Sequence, residues 1–258
     1  MPERDLTLLT EAAREAGQIA LGWWKSDPQV WEKPGQGPVT EADLAVNVML
    51  EEVLRAARPS YGWLSEESVD DGTRLDAEHV FIIDPIDGTR AFIAGEAHFA
   101  HSLAVAQNGQ VTAAVVYLPA LDQMFTARRD GPALLNGAPI AASAARDPET
   151  ARVLATKPAL APEHWRGPVP GFSRHFRASI AYRLCLVANG SYDAMLTFRP
   201  SWEWDIAAGL LICAQAGAAV RDARGRDIRF NSDQARAAGV VAAAPGLIGP
   251  LLSRLAII

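Results

Sequence analysis

The stretch HVFIIDPIDGTRAF, residues 79–92, runs from a β-branched and aromatic segment straight into two acids. Val80 to Ile83 reads as a buried strand. Asp84 and Asp87 close it, with Pro85 between them and Gly88 and Thr89 behind. Two carboxylates this close repel each other unless something positive lies between them. Gly88 permits a close ligand approach or a backbone angle that other residues avoid.

Outward from this stretch the chain sorts into alternating elements. On the N-terminal side, Leu6, Leu9, Ala13, Ala16, Ile19 and Ala20 recur at helical spacing, which predicts an amphipathic helix over 4–25. The segment KPGQGPVT, 33–40, reads as a mobile polar turn. Thr40 then caps a second helix that carries Asp43 and stops at Pro59. YGWLSEES predicts a short strand ending in Glu66 and Glu67. On the C-terminal side, 101–140 has the pattern of a β-meander, with hairpin turns at Asn108-Gly109 and Asn136-Gly137. Strands are expected over 152–156 and 172–176, and helices over 180–189 and 204–216. A closing hairpin over 217–230, a strand in GVVAAAP and a terminal helix complete the reading. The order predicts an α+β or layered α/β architecture in a single catalytic domain over 1–258, with subdomains near 1–140 and 141–258.

Composition removes several classes of function. The 258 residues suffice for one large core, and 49% apolar with 21% charged residues is ordinary for a globular chain. A net charge of −6 argues against a nucleic-acid partner, because phosphate backbones attract a basic excess. No apolar run reaches the ~20 residues that span a bilayer, and the acidic N-terminus has no signal core. The two cysteines, Cys185 and Cys213, lie in apolar segments and read as buried thiols. A cytoplasmic protein is expected.

The acids arrive in four packets: Asp43, Glu66 with Glu67, Asp84 with Asp87, and Asp205 at the start of a helix. So many hard oxygens suit Mg²⁺, Mn²⁺ or Ca²⁺, whereas zinc prefers His or Cys. The calcium loop D-x-[DN]-x-[DN]-G does not fit the D-x-x-D spacing here. Haloacid-dehalogenase-type phosphatases place D-x-D-G-T after a strand, and this chain has one residue too many between its aspartates.

Taken together, DPIDGT at 84–89, WDIAAG at 204–209, VTEAD at 39–43 and SEES at 65–68 resemble the inositol monophosphatase superfamily across the whole chain. The resemblance implies an α-β-α-β-α sandwich, Mg²⁺-dependent phosphomonoester hydrolysis, lithium sensitivity and homodimers. It implies two or three Mg²⁺ per site, with Mn²⁺ a possible substitute. Glu66, Asp84 and the Ile86 carbonyl would hold one ion, and Asp84, Asp87 and Asp205 a second. Thr89 with Glu66 would orient and deprotonate the attacking water, and Asp43 would support Thr89 or a weaker third ion. The Gly88 and Thr89 amides would receive the phosphate.

The substrate is read from fewer residues. Arg90, in GTRAF, and Arg183, in AYRLCLVANG, are placed as in 3′(2′),5′-bisphosphate nucleotidases, so adenosine 3′,5′-bisphosphate is the leading expectation. Inositol-1-phosphate follows, then histidinol phosphate or a sugar phosphate. Glu203 is a candidate for binding a substrate hydroxyl or amine, while Trp202 and Trp204 read as core. A non-catalytic phospholigand-binding regulator is the alternative class, and the full set of acids speaks against it.

Overall fold

The computed structural model describes residues 2–33, 35 and 37–256. Its centre is a seven-stranded sheet in the order β3 (Gly62–Ser65), β4 (His79–Asp87), β5 (Ala100–Gln107), β6 (Gln110–Leu118), β7 (Gln123–Arg128), β8 (Leu134–Leu135) and β9 (Ala138–Pro139). From β4 onward this is the expected meander, antiparallel throughout, while β3 joins β4 in parallel. Alternation along β4 and β5 sends side chains to two different cores, because successive residues in a strand face opposite sides. Phe81, Ile83, Leu103 and Val105 meet α1 (Pro2–Trp23) and α2 (Glu41–Ala57) through Leu9, Ala16, Val46 and Leu50. Val80, Ile82 and Ala104 face the opposite way, toward α4 (Ile180–Ala188) and α5 (Glu203–Gln215).

Those two helices are apolar nearly all round because a second sheet covers their other side. That sheet has the order β11 (Ser173–His175), β10 (Arg152–Ala155), β12 (Ala194–Thr197), β16 (Val240–Ala243) and β14 (Ala219–Arg221). Leu154, Met195 and Val240 point at the helices, while Val153, Leu196 and Val241 point outward to α6 (Ile248–Arg254). The layers therefore run α-β-α-β-α.

Two segments depart from the expectations. Where a polar turn was expected over 33–40, β1 (Val30–Lys33) and β2 (Gly37–Thr40) pair as an antiparallel hairpin, with Pro34 and Gln36 outside the described residues. The closing hairpin over 217–230 does not form. Val220 pairs with Ala242 of β16, and the Asp222 carboxylate then accepts from the Arg224 and Arg226 amides at 2.8 Å each, turning the chain away. The following residues pack on the first sheet, where the Phe230 amide donates to the Gly109 carbonyl.

Candidate active site

Asp84 and Asp87 are three apart, and in a regular strand they would face opposite sides. Pro85 has no N–H to continue the ladder, and the pairing shifts: Asp84 lies opposite Ser102 and Asp87 opposite Ala100. Three residues on β4 thus match two on β5, a one-residue bulge that restores a common face for both carboxylates. Below them, His101 is wholly buried and its Nδ1 lies 2.5 Å from the Pro85 carbonyl, so it donates to that oxygen and backs the bulge. Burial lowers the His101 pKa to about 4, which keeps the ring neutral.

Glu66 leaves the end of β3, its amide bonded to the Ile83 carbonyl. Asp205 sits in the first turn of α5. Carboxylate oxygens of Glu66, Asp84 and Asp205 lie within 4.8 Å of one another. Burial, then the neighbouring acids, pushes Asp84 and Asp205 well above the ordinary carboxylate range. The buried Asp84 Oδ1 has no hydrogen-bond partner, an arrangement that suits an oxygen awaiting a cation. The donors are all oxygen, so the residues present fit a hard divalent ion. Lys33 marks the edge of the cluster, its Nζ 2.9 Å from Glu66 and 2.6 Å from Glu67. Those two acids raise the Lys33 pKa although burial alone would lower it, so the ammonium is an internal counter-ion.

Asp87 stands slightly apart. Its Oδ2 accepts from the Ser179 hydroxyl and the Ala181 amide, both at 2.6 Å, which ties the bulge to the start of α4. Burial raises Asp87 to about 6 despite these bonds. Ser179 caps that helix by accepting from the Tyr182 amide. Helix α5 lets the Leu184 side chain of α4 pack directly on its backbone: a Cβ on Gly209 would fall 2.6 Å from that side chain.

The Thr89 hydroxyl is 3.1 Å from Asp43 Oδ1 and 3.1 Å from the Ile86 carbonyl, and its single proton can go to either. Asp43 Oδ2 is already engaged in the capping box of α2, accepting from the Thr40 amide and hydroxyl. Asp43 thus anchors a helix with one oxygen and holds Thr89 with the other. Burial brings its pKa to about 6. Gly88 has φ +102 and caps the five-residue helix α3 (Thr89–Ile93). A Cβ there would meet the His98 carbonyl at 3.1 Å, so both the angle and the space require glycine.

Glu66, Asp84, Asp87, Gly88, Thr89 and Asp205 line a cleft of about 680 Å³ that also takes in Lys33, Arg90, Arg199, Trp202 and Arg236. Two expected substrate residues are not at its surface. Arg183 is buried, donating to the Arg177 and Ala178 carbonyls and lying 4.6 Å over the Phe176 ring. Its guanidinium holds the loop before α4 instead of a second phosphate. Glu203 is wholly buried, and its carboxylate accepts from the Asn231 amide, the Ser232 amide and the Ser232 hydroxyl. Both of its oxygens are committed, so it serves the fold. Sequence reasoning missed Ser179, Lys33, Arg199 and Arg236. Only Ser179 carried a signal, as an N-cap before an apolar run.

The profile of the inositol monophosphatase family matches residues 1–255. An inositol-1-monophosphatase of Rhizobium meliloti is 36% identical over 239 residues, covering 85% of this chain and 86% of its own length. A Pseudomonas aeruginosa protein named Nus factor SuhB is 34% identical over 85% of this chain and 86% of its own. Among solved structures, the extragenic suppressor protein suhB of Bartonella henselae superimposes with a TM-score of 0.83 at 26% identity, covering 97% of each chain. The Thermotoga maritima IMPase gives 0.82 at 27%, over 98% of this chain and 95% of its own. With the sandwich, the bulged aspartates and these likenesses in agreement, the chain belongs to the inositol monophosphatase family of metal-dependent phosphatases.

Proposed function

We propose that the protein is a Mg²⁺-dependent phosphomonoesterase acting on a small phosphorylated metabolite. The observation that carries this is the buried, unpartnered Asp84 Oδ1 inside a three-carboxylate cluster. Glu66, Asp84, Asp87, Asp205 and the Ile86 carbonyl would hold the ions, with Mn²⁺ a substitute. Bound there, the ions would lower the pKa of water and neutralise the phosphoryl oxygens. The chain's own part is positioning. Asp43 holds the Thr89 hydroxyl, and Thr89 with Glu66 orients the attacking water and accepts its proton into the carboxylate network. Gly88 and Thr89 line the cleft, and their amides would receive the phosphate. A homodimer, a cytoplasmic location and lithium inhibition go with this reading. No helix among the described residues is long and apolar enough to cross a membrane.

Inositol-1-phosphate takes support from the name of the 36% identical relative. Adenosine 3′,5′-bisphosphate loses the Arg183 argument, since that side chain is turned into the loop before α4. Arg90 remains, exposed at the cleft. The relatives named Nus factor suggest a second reading, a role in transcription beside or instead of catalysis. Release of inorganic phosphate from an aryl phosphate, with added Mg²⁺ and with excess chelator, tests the main reading. Activity should appear with Mg²⁺ and vanish with the chelator. Full turnover in chelator overturns it.

A further inference from the structure

Among the described residues, the largest fully buried side chain is a charged one: Arg74, only 1% exposed. It sits in the short helical turn Thr73–Asp76, so close to β3 that a Cβ on Gly62 would meet its Cα and Cβ at 3.0 Å. Its Nε and Nη2 donate to the Asp70 carboxylate at 3.1 and 2.8 Å. Nη1 donates to Asn231 Oδ1 at 2.7 Å, and Nη2 also reaches the Ser232 carbonyl at 3.0 Å. The Asn231 side-chain amide returns a bond to the Arg74 carbonyl at 3.1 Å. A buried ion pair adds little or no stability over well-packed apolar side chains of the same volume. Burial energy alone therefore gives no account of this arginine.

Both ends of its network lead to the carboxylate cluster. Asp70 lies four residues beyond Glu66, on the loop that leaves β3. At the other end, the Asn231 and Ser232 amides donate to the Glu203 carboxylate at 2.6 and 3.0 Å. Glu203 opens α5 and stands two residues before Asp205 in the same first turn. That helix has no side-chain cap of its own. Its start is held from outside, by Glu203 and by β13 (Ser201–Trp202), which pairs with β15 (Arg236–Ala237) shortly after the 231–232 loop. Asp84, the third member of the cluster, comes from a strand bonded on both sides. Glu66 leaves an edge strand and Asp205 an uncapped helix, so these two need a tie. Asp70, Arg74, the 231–232 loop and Glu203 form a continuous one between them.

We propose that Arg74 is a positioning residue for the metal site: it joins the loop after Glu66 to the loop that holds α5, and so sets the separation of the Glu66 and Asp205 carboxylates. Arg74 does not line the cleft and acts only through these partners. This role rests on the metal-site reading and goes beyond it by naming what fixes two of the ligands. Arginine suits the place because one rigid fork carries donors for both sides, whereas lysine offers a single point charge that can keep Asp70 and lose the far loop. Magnesium demands near-ideal ligand geometry, so ion affinity is the quantity that reads the spacing.

The test reads ion binding without turnover. Asn231 has φ +59, so Asn231→Gly keeps the backbone and its amide to Glu203 while removing both side-chain bonds to Arg74. Calorimetric titration with Mn²⁺ should show an affinity about tenfold weaker in Asn231→Gly than in wild type, the low end for groups that orient ligands from outside. Arg74→Lys should weaken it by about as much. With an aryl phosphate, the Mg²⁺ concentration for half-maximal rate should rise by the same factor, while kcat at saturating Mg²⁺ stays within about twofold of wild type. Unchanged Mn²⁺ affinity in the folded variants, whatever happens to their melting temperatures, overturns the positioning role. A fall in kcat that excess Mg²⁺ does not restore overturns it as well. Should Arg74→Lys not fold, Asn231→Gly decides alone. A wild type that binds no Mn²⁺ sinks the metal-site reading, and the bridge with it.

Discussion

The floor and the rim of the cleft are built on different terms. On the floor, Asp84 and Asp87 come from one bulged strand, and Asp43 and Asp87 are tied by amides and hydroxyls to the starts of α2 and α4. On the rim, Arg90, Arg199 and Arg236 come from distant segments and stay exposed. Burial makes every charge on the floor demand a partner, and Asp43 and Asp87 find theirs in several hydrogen bonds, while Asp84 Oδ1 is left without one. Solvent places no such demand on the rim, where one side chain can be exchanged with little effect on the fold. On the phosphatase reading proposed above, the difference assigns reaction type to the buried half and leaves substrate choice to the exposed half.

The hardest blow to that division is Asp84→Asn. It should cut kcat on any phosphomonoester by on the order of a thousandfold. The metal-free protein should melt no earlier than wild type, because a buried like-charge contact has gone. Turnover within tenfold of wild type would show that the floor is not the chemical half. Arg183→Ala probes a side chain that looked like rim in the sequence and is interior in the fold. Leaving two carbonyls unpaired should cost about 3 kcal/mol in chemical denaturation, with equal proportional losses on all substrates. A loss confined to bisphosphates would return Arg183 to the rim.

The smallest effect concerns His101 beneath the bulge. Its folded pKa, about 4, lies below the ordinary 6.5, so the unfolded chain takes up the proton first. The stability it contributes is present above about pH 6.5 and is lost as pH falls toward 4. Between pH 7 and pH 5 that loss is about 2 kcal/mol. Asp43 and Asp87, each raised to about 6, shift stability the opposite way over the same window. The difference between wild type and His101→Gln in denaturant titrations isolates the histidine. A difference that does not vary with pH would mean that His101 is not buried neutral beneath the floor.

What was legible in the sequence follows the same line. The buried run Val80–Ile83, the Thr40 cap and the two turns at Asn108-Gly109 and Asn136-Gly137 rest on local rules, while the five-layer order came from the family resemblance. The acids could be counted because few residue types hold a hard ion. The rim could not be read. Arg183 and Arg236 are the same residue type, and only packing against Phe176 or Trp202 assigns one to a loop and the other to the cleft. Glu203 was misread because its partners, Asn231 and Ser232, lie almost thirty positions downstream. The false hairpin at 217–230 failed for a related reason: Val220 found Ala242 across the second sheet, a pairing that no local pattern announces.

Gly209 closes the segment WDIAAG, whose second residue is the acid Asp205. Helices α4 and α5 both start at the cleft, one with the Ser179 that holds Asp87 and the other with Asp205. Their spacing is set where Gly209 meets Leu184, with no room for even a methyl group. Any widening there passes along two stiff rods to the gap between Asp87 and Asp205. Magnesium tolerates little change in its roughly 2.0–2.1 Å oxygen distances, so the gap has a narrow tolerance. The segment acts as a calliper, with a charge at its tip and its setting fixed at the hinge by the absence of a side chain.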